Sequence, residues 1–504
     1  MTGAIVSHIV TAIMKKHTVN DVTQLNPIDV REIAKPSSVA ELQQIIKSHT
    51  GHVSFGGGRY SMGGQIATDN TLFIDMTGLN AVTGYDPAKK EITVQAGARW
   101  QDVIARIDPD DLSVSIMQSY SNFTVGGALG VNAHGRYIGQ GPIIRSVKEI
   151  KIVTADGDLK TASPTQNSEL FYGAIGGYGA LGAIVEAKLD LADNVNVERS
   201  IAKMPRAEYA EFFEKNIRGN KDVVFHNGDF YPPDYDTITA VTYTKTDKPA
   251  TVPDRLRPKK EVYLAEYLSI FAMTQVPGVN KLRPMVDEKI RFKTDEVVPR
   301  NYEASRYVEE LEPSTRAMTT FVLQEYFVPA DKLDEFAPKM AAILQKHDVN
   351  ALNVSIRHAE QDPGAVMAWA QQGDVFAFVL YYKQWNNEEA RQKVGTWTRE
   401  LVDAALESNG TYYLPYQMHA TEAQFKQAYP RSDEFFALKQ KYDPQNKFRN
   451  RLWDKYDPNG PKVDPETPKF RREHTKLGKL TAKFAKKRRE VNPEKLPRPK
   501  LGTS

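Results

Sequence analysis

Phe55-Gly56-Gly57-Gly58-Arg59-Tyr60-Ser61-Met62-Gly63-Gly64-Gln65 runs between two short apolar pieces, His52-Val53-Ser54-Phe55 and Leu72-Phe73-Ile74-Asp75. A glycine-dense loop therefore joins two expected strands. Residues without Cβ let the backbone approach a ligand closely, and successive N–H groups can form an anion-binding nest. Three adjacent glycines alone also fit an ordinary surface turn. The decision comes from two further loops, Thr124-Val125-Gly126-Gly127-Ala128-Leu129-Gly130-Val131-Asn132-Ala133-His134-Gly135 and Gly176-Gly177-Tyr178-Gly179-Ala180-Leu181-Gly182-Ala183-Ile184-Val185. Three small-residue loops separated by strand-rich sequence point to several backbone surfaces folded around one elongated ligand.

A competing pattern sits inside the third loop. Gly177-Tyr178-Gly179-Ala180-Leu181-Gly182 satisfies the GxGxxG spacing of a dinucleotide-binding βαβ unit, which requires a strand before it and a helix after it. Here Asn167 to Tyr172 reads as a helical turn, whereas Ala183 to Leu189 alternates as a strand does. The order is reversed, and the nicotinamide reading is set aside.

The three loops together resemble the FAD-binding domain of the vanillyl-alcohol oxidase / p-cresol methylhydroxylase (PCMH-type) superfamily, over roughly residues 25–195. The resemblance implies an α+β fold: a PCMH-type FAD-binding domain of two subdomains, with an antiparallel-sheet cap that holds substrate. It implies that the first loop (Gly56, Gly57, Gly58, Arg59, Tyr60, Ser61, Met62, Gln65) cradles the pyrophosphate. The second (Ser119, Thr124, Gly126, Gly127, Asn132, His134, Gly135) would run along the isoalloxazine. The third (Gly179, Ile184) would contact the adenine side, with Asn450 added from the closing segment. Relatives that attach flavin covalently through the first loop carry histidine before the serine. Tyr60 occupies that position, so non-covalent FAD is expected. His134 resembles a histidine that is usually a structural partner near the flavin.

Such a flavin accepts hydride at N5, and the protein must supply a base and cations facing the ring. Asn353-Val354-Ser355-Ile356-Arg357-His358 resembles the Glu-x-Arg strand of the alditol and aldonolactone oxidase branch, with Ser355 replacing the glutamate. Strand alternation puts Ser355 and Arg357 on one face and Ile356 on the other. Tyr413-Leu414-Pro415-Tyr416-Gln417-Met418-His419 lies where that branch carries Pro-His-Trp-x-Lys, which places His419 at the lysine. Aligned instead on Tyr429-Pro430-Arg431 and Tyr442-Asp443-Pro444, as in the decaprenylphosphoryl-ribose oxidase branch, the lysine falls at Tyr416. The lysine is absent either way. Arg357 with His419 or Tyr416 are the expected catalytic residues, and Glu325 and Lys383, on neighbouring expected strands, are in reserve. Tyr442 to Asn450 resembles the family's closing Asp-Pro-x-x-x-Phe segment and extends the likeness to about residue 455.

The chain has 504 residues, enough for two domains and appendages. Its expected divisions are a helical lead-in (1–24), the FAD-binding domain (25–195), the cap (196–424), a segment returning to the FAD domain (425–460) and a basic tail (461–504). Zero cysteines exclude disulfides, thiol catalysis and cysteine metal ligands, and the ten histidines lack ligand spacing, so no metal is expected. No apolar run has bilayer length and no signal peptide is recognised, which makes the cytoplasm the default compartment. The net charge of +3 hides an asymmetry: the tail carries 14 Lys/Arg against 5 Asp/Glu, leaving residues 1–460 at −6. The tail allows a weak membrane-surface contact, and no nucleic-acid partner is expected.

The function expected from the resemblance is oxidation of an alcohol on a sugar-, polyol- or lactone-like small molecule, with the electron acceptor, oxygen or another, left open. Two alternatives stand beside it. One is FAD-dependent reduction of a carbon–carbon double bond, as in the sterol reductases; the other is a flavin-containing binding protein acting through its tail.

Overall fold

The computed structural model describes residues 17–260, 263–275, 295–311, 316 and 318–462. The chain opens on a short antiparallel ladder of β1 (His17–Val19) and β2 (Ile28–Val30). The helical lead-in is thus corrected where it can be seen: His17, Thr18 and Val19 pair with Val30, Asp29 and Ile28 as a strand, and residues 1–16 lie outside the described residues. A small parallel sheet follows, ordered β3 (Glu32–Ala34), β5 (Leu72–Asp75), β4 (Val53–Gly56). Its covering helix α1 (Val39–Ser48) starts where the Ser38 side chain accepts the Glu41 N–H at 3.2 Å, and buries Leu42 and Ile46, one turn apart.

A second sheet is ordered β10 (Leu159–Ala162), β9 (Val147–Val153), β11 (Ala183–Asp193), β7 (Glu91–Gln95), β6 (Val82–Asp86), with β8 (Leu112–Val114) paired to β11. Its helices are α2 (Trp100–Ile107), α3 (Val125–Gly130) and α4 (Ser168–Ala174). The third glycine loop indeed follows a helix and precedes a strand, in which Ala183, Val185, Ala187 and Leu189 are buried while the residues between them are not.

The cap is an eight-stranded antiparallel sheet, ordered β15 (Val297–Pro299), β12 (Asn196–Pro205), β14 (Thr237–Lys245), β13 (Val223–Phe230), β17 (Ala351–Ala359), β18 (Val375–Trp385), β16 (Thr319–Pro329), β19 (Thr411–Tyr412). Around it lie α5 (Tyr209–Asn216), α6 (Leu264–Gln275), α7 (Arg300–Ala304), α8 (Leu333–Lys346) and α9 (Glu388–Glu407). Period-two alternation gives its strands two faces. One packs on helices: Gln324 donates to Thr398 of α9 at 2.8 Å, and the Tyr326 ring lies tilted against Phe336 of α8. The other presents Leu323, Glu325, Asn353, Ser355 and Arg357 to a cavity.

The chain then crosses back through α10 (Glu422–Ala428), α11 (Ser432–Tyr442) and α12 (Arg451–Tyr456). Between α11 and α12, Asp443 accepts the N–H groups of Lys447 (2.7 Å) and Phe448 (2.8 Å) together with Lys439 Nζ (2.8 Å). That turn sets Phe448 beside Val53, the first residue of β4.

Two buried groups tie this fold to pH. His226 on β13 bonds Tyr209 Oη (2.9 Å) and Thr242 Oγ1 (2.8 Å), and burial holds its imidazole down to about 3. Burial works against ionisation of Glu303 too, but the charges of Arg306 and Arg136 outweigh it and keep this carboxyl far below the usual range. Both shifts are downward. Below its unfolded value near 6.5 the unfolded chain protonates His226 and the folded one does not. Below about 4.5 the same holds for Glu303. Stability is therefore present above about pH 6.5 and is lost as pH falls towards 3. Thermal unfolding at pH 4 is expected about 4 °C below that at pH 7. A flat Tm across this interval, followed by circular dichroism, would contradict it.

Candidate active site

The first loop is held from two sides. A Cβ on Gly57 would stand 2.2 Å from Thr124 Oγ1, and one on Gly63 would stand 2.1 Å from the Tyr416 carbonyl oxygen, so only glycine lets these three segments meet. Thr124 is the N-cap of α3, its hydroxyl accepting the Gly127 N–H at 3.3 Å. On the cap side, Met62 N donates to Pro415 O (2.6 Å), and Gln65 Nε2 donates to the carbonyls of Leu414 (2.6 Å) and Tyr416 (2.7 Å). The segment 413–417 is thereby fixed against the glycine loop.

Between the two sheets and the cap lies an elongated cavity of about 930 Å³. Its walls include Gly56, Gly57, Gly58, Arg59, Tyr60, Ser61, Met62 and Gln65 of the first loop; Ser119, Thr124, Gly126, Gly127 and His134 of the second; and Gly179 and Ile184 of the third. Three expected cofactor contacts stand behind the wall. Asn132 Nδ2 donates to Asp362 (2.7 Å). Gly135 packs where a Cβ would reach the Met117 carbonyl oxygen at 2.2 Å. Asn450 caps α12 and donates to the Tyr178 carbonyl oxygen (2.9 Å), so it steadies the third loop from outside. The buried Ser119 Oγ, on the cavity wall, has no hydrogen-bond partner within the protein. An elongated cavity, three loops open to close backbone approach and a waiting hydroxyl together suit FAD.

The cap contributes acid–base chemistry. Glu325, 4 % exposed on β16, bonds His134 Nε2 through Oε1 at 2.5 Å and accepts the Tyr416 hydroxyl through Oε2 at 3.1 Å. His134 Nδ1 lies 3.2 Å from the Gly135 carbonyl oxygen, which can only accept, so that nitrogen carries a proton. One further proton is then shared between Nε2 and Glu325. Burial, then the adjacent Glu325 carboxylate, pushes the Tyr416 phenol well above its ordinary range, and the charge of Arg357 opposes this in part. Arg357, from the cavity face of β17, has a buried Nε without a protein partner.

The remaining candidates lie elsewhere. His419 is buried but is no part of the cavity wall; its N–H donates to Gln417 O at 3.0 Å. Lys383 continues the cavity face of β18 beyond Tyr381 but sits outside the cavity, half-buried above the Phe321 ring, where desolvation draws its amine down to about 8. Other wall residues had no motif to announce them. Arg136 donates to Glu303 (2.5 Å) and to Asn227 Oδ1 (3.0 Å), and Asn227 in turn donates to Asp229 (3.0 Å). Arg306 and Arg257 also reach Glu303, so three arginines surround one carboxylate. Arg136 follows the His134-Gly135 pair directly, and that position was its one signal in the sequence. Among the described residues no group of His, Asp and Glu could hold a metal ion.

Residues 30–163 match the FAD binding domain family, and residues 197–456 match the D-arabinono-1,4-lactone oxidase family. The chain is similar to L-gulonolactone oxidase of Bos taurus, 21 % identical over 428 residues that cover 84 % of this chain and 94 % of that one. It is also similar to cytokinin dehydrogenase 2 of Arabidopsis thaliana, 30 % identical over 35 % of each chain. Mitochondrial L-galactono-1,4-lactone dehydrogenase of the same plant is 27 % identical over 46 % of this chain and 38 % of its own.

Proposed function

Because this FAD-dependent oxidoreductase belongs to the D-arabinono-1,4-lactone oxidase family, we propose that it oxidises an alcohol carbon of a sugar-, polyol- or lactone-like small molecule with non-covalently held FAD. The observation that carries the reading is the chain Tyr416–Glu325–His134 facing the same cavity as Arg357. FAD, when bound along the three loops, supplies the hydride acceptor. Arg357 offers a fixed cation, with an unused N–H, to the substrate oxygen on which negative charge develops. Tyr416 takes the hydroxyl proton as it passes its own to Glu325 Oε2, and the proton already shared with His134 offsets the charge of that carboxylate.

Reduction of a carbon–carbon double bond is supported by one feature, the apolar lining that Ile270, Met273, Leu311, Leu323 and Leu352 give the cavity. The acid–base chain favours the alcohol, whose oxidation must remove a hydroxyl proton. A binding role exercised through the tail gives way, because the matching families and relatives are oxidases and dehydrogenases.

The test is anaerobic titration of the purified yellow protein with D-arabinono-1,4-lactone, L-gulono-1,4-lactone and xylitol. At least one is expected to bleach the flavin spectrum. No bleaching by any of them, with re-oxidation of chemically reduced protein by an enone, would replace this reading with the reductase. Acid precipitation of the same sample is expected to release the colour to the supernatant. Colour kept in the pellet would show a covalent bond despite Tyr60.

A further inference from the structure

The cap sheet does not offer polar side chains to the cavity evenly. Asn227 and Asp229 of β13 and Asn353, Ser355 and Arg357 of β17 form one polar patch on two adjacent strands. The flanking strands β18 and β14 present Val379, Tyr381 and Val241 instead. Proton removal as derived above uses Arg357 from this patch and leaves the other four without a task.

The patch is braced from behind. A Cβ on Gly228, between its two β13 members, would stand 2.8 Å from the Tyr209 ring, so α5 presses directly on the back of the strand. Tyr209 is itself held by His226 (2.9 Å), and His226 by Thr242 (2.8 Å). On the cavity side Arg136 donates to Asn227 Oδ1 (3.0 Å) and Asn227 Nδ2 to Asp229 Oδ2 (3.0 Å), while Asn353 Nδ2 lies 3.4 Å from Asp229 Oδ1. A carboxylate accepts about four hydrogen bonds, so Asp229, 6 % exposed, keeps room for about two more donors. Fixed groups with unused capacity on a cavity wall are what a ligand site requires.

Strand register measures how far this carboxylate stands from the chemistry. Asp229 pairs with Ser355, Ser355 with Val379, and Val379 with Glu325, so one row across four strands has Asp229 at one end and Glu325 at the other. Three strand spacings separate them by about 14 Å. The floor between is made by the short side chains of Ser355 and Val379. A hydrogen bond of about 2.8 Å at either end leaves roughly 8 Å for the ligand. That is the extended length of a six-carbon polyol, whereas a three-carbon alcohol held at Tyr416 stops short of Asp229. An ammonium group at this place would also face Arg136 and Arg357, so neutral hydroxyls are the donors that suit it.

We propose that Asp229, with Asn227 and Ser355 beside it, is a specificity-determining subsite that binds the distal hydroxyls of an extended polyol of about six carbons while the opposite end is oxidised beside Tyr416. The alcohol-oxidation reading supplies only which end reacts; the binding does not depend on it. The test uses the full-length flavoprotein with glycerol, erythritol, xylitol, sorbitol, mannitol and galactitol, read by calorimetric binding and by anaerobic bleaching. Affinity is expected to rise with chain length towards the hexitols. The Asp229→Asn variant, its flavin spectrum unchanged, is expected to bind the best hexitol roughly 10- to 100-fold more weakly. Glycerol and erythritol should lose little, and the limiting bleaching rate at saturating hexitol should be nearly kept. Ser355→Leu, which fills the floor, is expected to exclude the hexitols and still admit glycerol. Affinity without length dependence, an equal loss by Asp229→Asn on short and long alditols, or no binding of any alditol would each overturn the subsite. Length-dependent binding without bleaching would uphold the subsite and strike the alcohol oxidation; bleaching with length-independent affinity would do the reverse.

Discussion

Replacing Glu325 by glutamine is expected to slow flavin reduction by a cognate alcohol about 10²- to 10⁴-fold while FAD stays bound. Glutamine keeps the shape and can still accept the Tyr416 hydroxyl, now 3.1 Å from Oε2, but it cannot take a proton. The neighbouring imidazole, which bonds the carboxylate at 2.5 Å, would face a neutral amide N–H in its place. Leaving a buried histidine 4 % exposed without its carboxylate exacts a further penalty in placement, so the loss should exceed that of a simple hydrogen bond. Stopped-flow bleaching under anaerobic conditions isolates this half of the reaction from re-oxidation. A limiting rate equal to that of the unmodified enzyme would remove Glu325 from the chemistry. The Tyr416→Phe variant separates relay from acceptor: it retains Glu325 and should lose less.

The second large effect belongs to Gly57. Valine there would drive a Cβ to 2.2 Å from Thr124 Oγ1 and 3.3 Å from its Cβ, and the threonine is held as the N-cap of α3. Neither partner can give way without shifting one of the two loops. An overpacked contact costs about 1–3 kcal/mol, or roughly 10- to 100-fold in FAD affinity if all of it falls on the bound state. The Gly57→Val protein should therefore purify largely colourless and need excess FAD to recover its spectrum. A fully yellow preparation with unchanged affinity, measured by fluorescence quenching, would show that the loop can part from Thr124. Gly139, where an added Cβ meets nothing within 4 Å, offers a matched control near the second loop, although its φ of +70° favours glycine.

What could be read from the sequence follows from distance along the chain. Glycine loops advertise themselves, because a backbone that must come within van der Waals reach of another segment admits few residues. The strands beside them alternate visibly, and the helix-then-strand order around Gly177 to Gly182 was enough to refuse a Rossmann unit. The pairing of Glu325 with His134 had no such signal: the residues are 191 positions apart and meet only when β16 closes over the second loop. Likeness to a strand motif brought Arg357 forward. The same kind of likeness favoured His419, whose side chain packs outside the cavity, over His134, which was expected to be structural. The arginines around Glu303 converge from residues 136, 257 and 306, and nothing local marks any of them. Long-range polar networks are set by how the sheets meet, and periodicity within one strand does not encode that.

The turn after Asp443 lays the backbone of 447–449 along β4: Val53 N donates to Lys447 O (2.8 Å), Arg449 N to Val53 O (2.9 Å) and Ser54 Oγ to Arg449 O (2.7 Å). The strand that delivers the first glycine loop is therefore completed by residues made about 395 positions later. On the ribosome, the amino-terminal half emerges long before its own sheet can be finished. Capture of the nucleotide is then a late event in biogenesis, awaiting synthesis of the closing segment, and until that moment the nascent cradle depends on whatever shelters its open edge.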